Sequence, residues 1–347
     1  MKINSVEGPI GREELGIVSP HEHVFIDISA FFEERPLADI ENPSSEKVKM
    51  EHLGQLNRDP YALKDNLSLD DYETQKKELV RFKRAGGRTV VDATMPGIGR
   101  DPQKLQKIAR ESGVHIIMGT GYYVSSTHPE TLAKMSEEDI AEEMVRELQE
   151  GVDGVKAGVI GEIGISEIFN DAERRVLRAA AIAHKKTGAG VLVHINPWTE
   201  NGRESCDILL SAGVAPDRIA ISHIDVENRE DYVLSMLEKG VYVEFDNFGK
   251  EYFVEKEARR DGYGCFVTDV ERVLFLKKLV EMGYTSQILL SCDVCLKTLL
   301  RTYGGWGYDH VLRNIIPMMK EFGISDADID TMIRKNPVDF LCGKENV

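Results

Sequence analysis

The sequence predicts a (β/α)8 barrel, the TIM-barrel architecture, and three observations carry that prediction. Eight short apolar runs punctuate the chain, longer amphipathic stretches lie between them, and polar residues recur at the C-terminal ends of the runs. The runs are rich in Val and Ile and apolar on both faces, as parallel strands covered on both sides require. A doubly wound open sheet is the structural alternative. Eight β-α units with no evident linker match the count of the barrel, and residues 1–347 are expected to form one such domain.

In order, the runs are LGIVSPH (15–21), RTVVDAT (88–94), VHIIMGT (114–120), AGVIGEIG (157–164), AGVLVHIN (189–196), RIAISH (218–223), VYVEFD (241–246) and QILLSCD (287–293). The helical stretches between them carry their own stops and starts. DYETQKKELVRFKRAGG closes on Gly-Gly, a helix stop. SEEDIAEEMVRELQEG opens with Ser136 and acids, suiting an N-cap and the positive end of the helix dipole. DAERRVLRAAAIAHKKTG and TDVERVLFLKKLVEMG also begin with a capping residue, Asp171 and Thr268, and end in Lys and Gly. Two stretches break the rhythm, at 28–70 after the first strand and 247–267 after the seventh. Long β-to-α loops lie on the catalytic face of a barrel, so both are candidate lids or substrate walls.

Composition narrows the function classes. The net charge of −16, from 43 basic and 59 acidic residues, argues against general affinity for nucleic acid or anionic membrane. No apolar window approaches the roughly 18 residues of a membrane span. MKINSVEGPI lacks the pattern of a signal peptide, and five scattered cysteines do not suggest a disulfide framework, so a reduced cytoplasmic location is expected. The expected partner is a small-molecule substrate.

The chemistry-bearing residues converge at one end of the strands. His21 and His23, two apart, share a strand face. Glu162 falls at the end of the fourth strand, His194 of the fifth, His223 of the sixth and Asp293 of the eighth. A lone strand-end histidine is usually structural, but six such positions from five strands point to a shared site. Four histidines and two carboxylates suit a pair of borderline metal ions such as zinc, with an anionic oxygen ligand and a water or hydroxide bridging them. Glu22, between the two histidines, is expected to face out of the barrel. C-x-x-C at Cys292 and Cys295 straddles Asp293 without a second cysteine pair, so Cys295 is expected to be buried as a small apolar residue by a following helix.

Together, HEH after the first strand, AGVIGEIG at the fourth, the histidines ending the fifth and sixth, the aspartate ending the eighth, CLKTLLRTYGGWGYDHVLRNIIPMM and the later Asn336-Pro337 resemble the phosphotriesterase family of the amidohydrolase superfamily, in particular its phosphotriesterase-related branch. The similarity covers nearly the whole chain. It implies that His21, His23 and Asp293 hold a buried metal, that His194 and His223 hold a more exposed one, and that the strand-four residue bridges them. Many relatives use a carboxylated lysine there; this chain offers Glu162, with Gly161 where the lysine would fall. Lys156 lies six residues upstream, roughly 20 Å along an extended strand, and cannot share the site. Zinc is the expected metal, with manganese, cobalt or iron as alternatives, and the resemblance suggests a homodimer.

The expected chemistry is hydrolysis, with a metal-bridging hydroxide as nucleophile and Asp293 as ligand and proton acceptor. Asp225, in SHID, either relays that proton or orients a ligand, or else caps the helix near 228. Tyr122 and Tyr123 after the third strand, and Lys297 and Arg301 after the eighth, are candidate substrate contacts. The favoured substrate is a lactone or carboxylic ester; an N-acyl amide or a phosphotriester on the same centre is the alternative. A non-catalytic small-molecule binding protein is the reading of another class.

Overall fold

Eight parallel strands follow one another in chain order around the molecule. They are β1 (Val18–Glu22), β2 (Thr89–Asp92), β3 (His115–Thr120), β4 (Val159–Ile165), β5 (Val191–Ile195), β6 (Ile219–Ile221), β7 (Tyr242–Phe245) and β8 (Ile288–Leu290). The computed structural model describes residues 2–35, 40–254 and 264–344. Each strand is hydrogen-bonded to the next, with Val90 opposite Ile116, Leu192 opposite Ala220 and Glu244 opposite Leu289. β1 and β8 are the ends of this order. They meet where the Asp293 amide donates to the His21 carbonyl at 3.3 Å, so the barrel is nearly closed.

The helices end where the sequence marks them. Tyr72–Arg84 is capped by Asp71, Glu137–Gln149 by Ser136 and Asp269–Glu281 by Thr268. For Asp171–Thr187 the cap is Asn170 rather than Asp171, because the Asn170 side chain reaches the amides of Ala172 and Glu173. Gly188 ends that helix at φ 73°, a left-handed conformation suited to glycine.

Inward alternation along the strands builds the floor. Val18, Val91, Ile117, Val159, Leu192, Ala220, Tyr242 and Leu289, one from each strand, form a buried cluster with Phe340 of the C-terminal helix Asn336–Cys342. The Phe340 ring packs edge-on to Tyr242 at 6.0 Å. Arg12 and Arg218 hold this helix by its carbonyls, Gly343 at 2.6 Å and Asp339 at 3.1 Å respectively. An antiparallel hairpin, Lys2–Ser5 with Gly8–Gly11, adds Ile3 and Ile10 to the same cluster.

The insertion at 28–70 carries a small core of its own, from Ile40, Val48, Leu56, Ala62 and Leu63. Its base is tied by Ile26–Asp27 pairing with Ser68–Leu69. Lys297 joins it to the loop after β8 through Asp65, and the Phe253 amide joins it to the loop after β7 through the Asn57 carbonyl. The insertion is therefore packed across the strands' C-terminal end. Of the second long loop, residues 255–263 lie outside the described residues. Among the described residues, no helix is long and apolar enough to cross a membrane.

Candidate metal centre

The C-terminal ends of β1, β4, β5, β6 and β8 bring His21, His23, Glu162, His194, His223 and Asp293 together. Glu162 lies at the middle of the group. His21 Nε2 is 3.5 Å from its Oε2, His23 Nε2 3.5 Å from Oε1, His194 Nδ1 3.0 Å from Oε2 and His223 Nε2 3.8 Å from Oε2. Asp293 Oδ1 stands 3.1 Å from His23 Nε2 and 3.9 Å from His21 Nε2. His194 Nδ1 and His223 Nε2 are 2.8 Å apart.

Donor atoms face one another here instead of being satisfied. His21 Nε2, Glu162 Oε2 and Asp293 Oδ1 are buried without a well-aligned hydrogen-bond partner, an expensive condition for buried polar atoms that a cation relieves. The far side of each β1 and β6 histidine is occupied. His21 Nδ1 meets Glu244 and Ser222, both at 3.1 Å, His23 Nδ1 meets Thr94 Oγ1 at 2.9 Å, and His223 Nδ1 meets Asp246 Oδ1 at 3.0 Å. Such partners fix the tautomer and aim the free nitrogen inward. Two sub-groups meet at Glu162, His21 and His23 with Glu162 and Asp293, and His194 and His223 with Glu162, while a third close set, His21, His223 and Asp246, meets through the rings' Nδ1 atoms. The residues present fit metal ions, with Glu162 between the two sub-groups.

A model of the phosphotriesterase family matches residues 1–341. The chain belongs to the phosphotriesterase family. It is 35% identical to an N-acetyltaurine hydrolase of Tetraodon nigroviridis, over 99% of this chain and 98% of that one. A crystal structure of a resiniferatoxin-binding protein from Rhodobacter sphaeroides superposes with TM-score 0.93 at 34% identity, covering 98% of this chain and 94% of that one. The phosphotriesterase homology protein from Escherichia coli, complexed with phosphate in its active site, follows at TM-score 0.78 and 30% identity, covering 94% and 99%.

Strand four of this phosphotriesterase-family chain runs close to β5 beside the candidate site. Gly161 has φ 109°, and a Cβ placed on it would stand 2.0 Å from the Leu192 carbonyl oxygen of β5. No side chain fits there, and the central carboxylate comes from the neighbouring Glu162. Lys156 is exposed, ahead of β4. His223 at φ 59° and Asp293 at φ 45° are held in the left-handed region, where non-glycine residues are uncommon; strain of this kind concentrates at functional sites.

Charge around the site is balanced pairwise. Burial opposes ionisation of Glu162, but His194, His21 and His223 around it hold its carboxyl well below the usual range. Burial likewise opposes ionisation of Asp293, yet the Lys250 ammonium and the histidines hold it far below. Burial disfavours the charged form of Lys250, and Asp293 outweighs it, keeping the amine protonated. For His223 burial is again opposed, here by Asp246 and Glu162, and the ring is pushed up to about 10.

Lys250 is the residue that sequence reading missed. It lies just after β7 in the second long loop, buried, with Nζ on Asp293 Oδ2. Arg272 and Asp269 hold its backbone, Arg272 through the Lys250 carbonyl at 2.8 Å and Asp269 through the Gly249 amide at 3.0 Å. Glu244 and Asp246 were also missed. Their signal was present: two carboxylates spaced i, i+2 in a run taken as an apolar strand share the inward face that Tyr242 begins.

Other expected residues stand differently from the sequence reading. Tyr123 reaches the group, with its hydroxyl 3.3 Å from His194 Nε2. Tyr122, beyond the end of β3, turns the other way and bonds Glu143 of the helix Glu137–Gln149. Lys297 is engaged with Asp65 at 2.8 Å, and Arg301 with Asp309 at 3.5 Å, so both brace loops. Asp225 touches no ligand and caps no helix, the following helix being capped at Arg229. It accepts from Asn247 Nδ2 at 2.6 Å, and the same amide donates to Asp246 at 2.9 Å. Its link to His223 thus runs through two residues, and burial, opposed by Arg272, lifts its carboxyl to about 6. Cys295 is not packed away by a helix: it is half-buried with Sγ 3.9 Å from Asp293 Oδ2. Glu22 points away from the ligands yet not to solvent, being fully buried against the backbone that follows β8.

Proposed function

We propose that the protein is a binuclear metal-dependent amide hydrolase that cleaves small N-acyl compounds whose amine half carries a negative charge, an N-acyl aminosulfonate or amino acid. The observation that carries this reading is the six-residue group with a buried cation, Lys250, at its edge. The name of the Tetraodon relative supports it, since N-acetyltaurine is an amide bearing a sulfonate. Zinc is the metal we assign to the histidine-rich donor set.

Metal ions at His21, His23, Glu162 and Asp293 and at Glu162, His194 and His223 would activate water and act as a Lewis acid toward the scissile carbonyl. The remaining work falls to side chains. Asp293 directs Oδ1 into the ligand group, where it takes the proton of the attacking water. The same carboxylate returns that proton to the amide nitrogen as the C–N bond breaks, so the products are a carboxylate and an amine. Tyr123, beside His194, borders the acyl half. Lys250, paired with Asp293 Oδ2, offers its remaining N–H donors to the anionic end, and the insertion at 28–70 shields the mouth from bulk water.

A screen of the zinc-loaded protein against N-acetyltaurine, N-acetyl-β-alanine, a γ-lactone, a simple carboxylic ester and an aryl phosphotriester tests this. The highest kcat/KM is expected on the anionic amides; faster turnover of the lactone or ester would move the assignment to ester chemistry. Full metal loading with no turnover of any of them would favour the binding-protein reading. Lys250→Met should raise KM for the anionic amides about ten- to a hundred-fold, the range for a hydrogen bond to a charged group. An uncharged N-acyl amine should suffer less, and equal loss on both would remove Lys250 as the anion contact.

A further inference from the structure

We propose that Glu22 is a positioning residue that sets the distance between the β1 ligands and Asp293. β1 and β8 are the two ends of the strand order, and their junction is the one place around the barrel where neighbouring strands share no ladder pairing among the described residues. At the mouth the Glu22 carboxylate takes the place of that ladder. Its Oε1 accepts from the Cys292 amide at 3.0 Å and its Oε2 from the Val294 amide at 2.8 Å. Ser19 Oγ donates to Oε1 at 2.8 Å and completes the clamp.

The amides gripped in this way flank Asp293, and the residue doing the gripping is flanked by His21 and His23. One planar group therefore spans three of the ligands assigned to the inner metal. Directly beside it, the Asp293 amide reaches the His21 carbonyl at only 3.3 Å, a long bond for the load. On the opposite edge of β1 the spacing is kept by ordinary backbone pairing, with the Ala93 amide donating to the Glu22 carbonyl at 2.9 Å. A carboxylate suits the seam because both of its oxygens must accept. A glutamine keeps one acceptor and turns its NH2 toward a second N–H, which forces one grip open.

The inference rests on the binuclear centre, so its test reads metal binding and not turnover. The full chain and Glu22→Gln are stripped of metal, titrated with cobalt(II) by calorimetry, and followed by visible absorption. Two ions are expected on the wild-type chain. On E22Q one of them should bind about 10- to 100-fold more weakly, the range for lost support of metal ligands, with its absorption bands shifted and the other ion unchanged. Two ions bound with wild-type affinity and spectrum, whatever the melting temperature, would overturn the positioning role. Should E22Q fail to fold, Ser19→Ala decides. It should weaken the same ion about two- to ten-fold, the effect of one neutral hydrogen bond, and unchanged binding would overturn the proposal. A wild-type chain that takes fewer than two ions would overturn the centre itself, and the role of Glu22 with it.

Discussion

The two ends of the barrel are made by the same strands and obey opposite rules. At the floor, the inward positions are apolar from Val18 round to Leu289, and Phe340 seals them. Two residues further along, the inward positions become His194 after Leu192, Ser222 after Ala220, Glu244 after Tyr242 and Ser291 after Leu289. The floor gains from close packing and asks nothing of its neighbours beyond shape. The mouth buries Glu22, Asp92, Glu162, Glu244, Asp246 and Asp293, where burial is costly unless charges are paired or hydrogen-bonded. Every one of these carboxylates has at least one such neighbour; of their oxygens Glu162 Oε2, Asp293 Oδ1 and Glu244 Oε1 lack a well-aligned partner, and the first two face the candidate metal site. Stability and chemistry are thus separated by one step of strand alternation.

Substitutions at the mouth should damage catalysis or metal binding, and those at the floor should damage stability alone. The largest catalytic effect is expected from Asp293→Asn, which should lower kcat about 10²- to 10⁴-fold, the usual contribution of a positioned acid or base. Metal analysis of the same preparation at saturating zinc should still show two ions per chain; near wild-type turnover in such a metal-replete sample would remove Asp293 as proton acceptor. A smaller effect is expected from Asp246→Asn, which loosens His223. Chelator competition should show one ion held about 10- to 100-fold more weakly, whereas equal retention of both would mean that His223 is aimed by its backbone alone. Least of all should catalysis respond to Phe340→Ala. Denaturant unfolding should reveal a loss of about 3–5 kcal/mol, while kcat per folded chain at 25 °C stays at the wild-type value. A parallel fall in kcat would show that floor and mouth are mechanically coupled.

How much of this was legible in the sequence follows the same division. The barrel was legible because strands covered on both sides read as apolar runs, and eight of them are hard to mistake. The convergence of the six side chains was legible because four of them are histidines at strand ends, conspicuous in a chain with only nine. Glu244 and Asp246 were hidden inside a run whose overall apolarity outweighed them, although their i, i+2 spacing placed them on the Tyr242 face. Lys250 was not legible, since a lysine in a polar loop looks solvated until Arg272 and Asp269 fix the backbone that presents it. Tyr122 and Tyr123 could not be told apart because they lie in the loop after β3, where no alternation says which of them turns inward. For Glu22, alternation correctly turned the side chain away from the ligands. What it missed is that outward, at the seam of a barrel, means the backbone of the next strand.

Anomalous X-ray diffraction from crystals of the zinc-loaded protein, collected at the zinc edge, tests the binuclear centre most directly. Two peaks are expected, one among His21, His23 and Asp293 and one beside His194 and His223, with the Glu162 carboxylate between them. A single peak, or two that do not share Glu162, would contradict it.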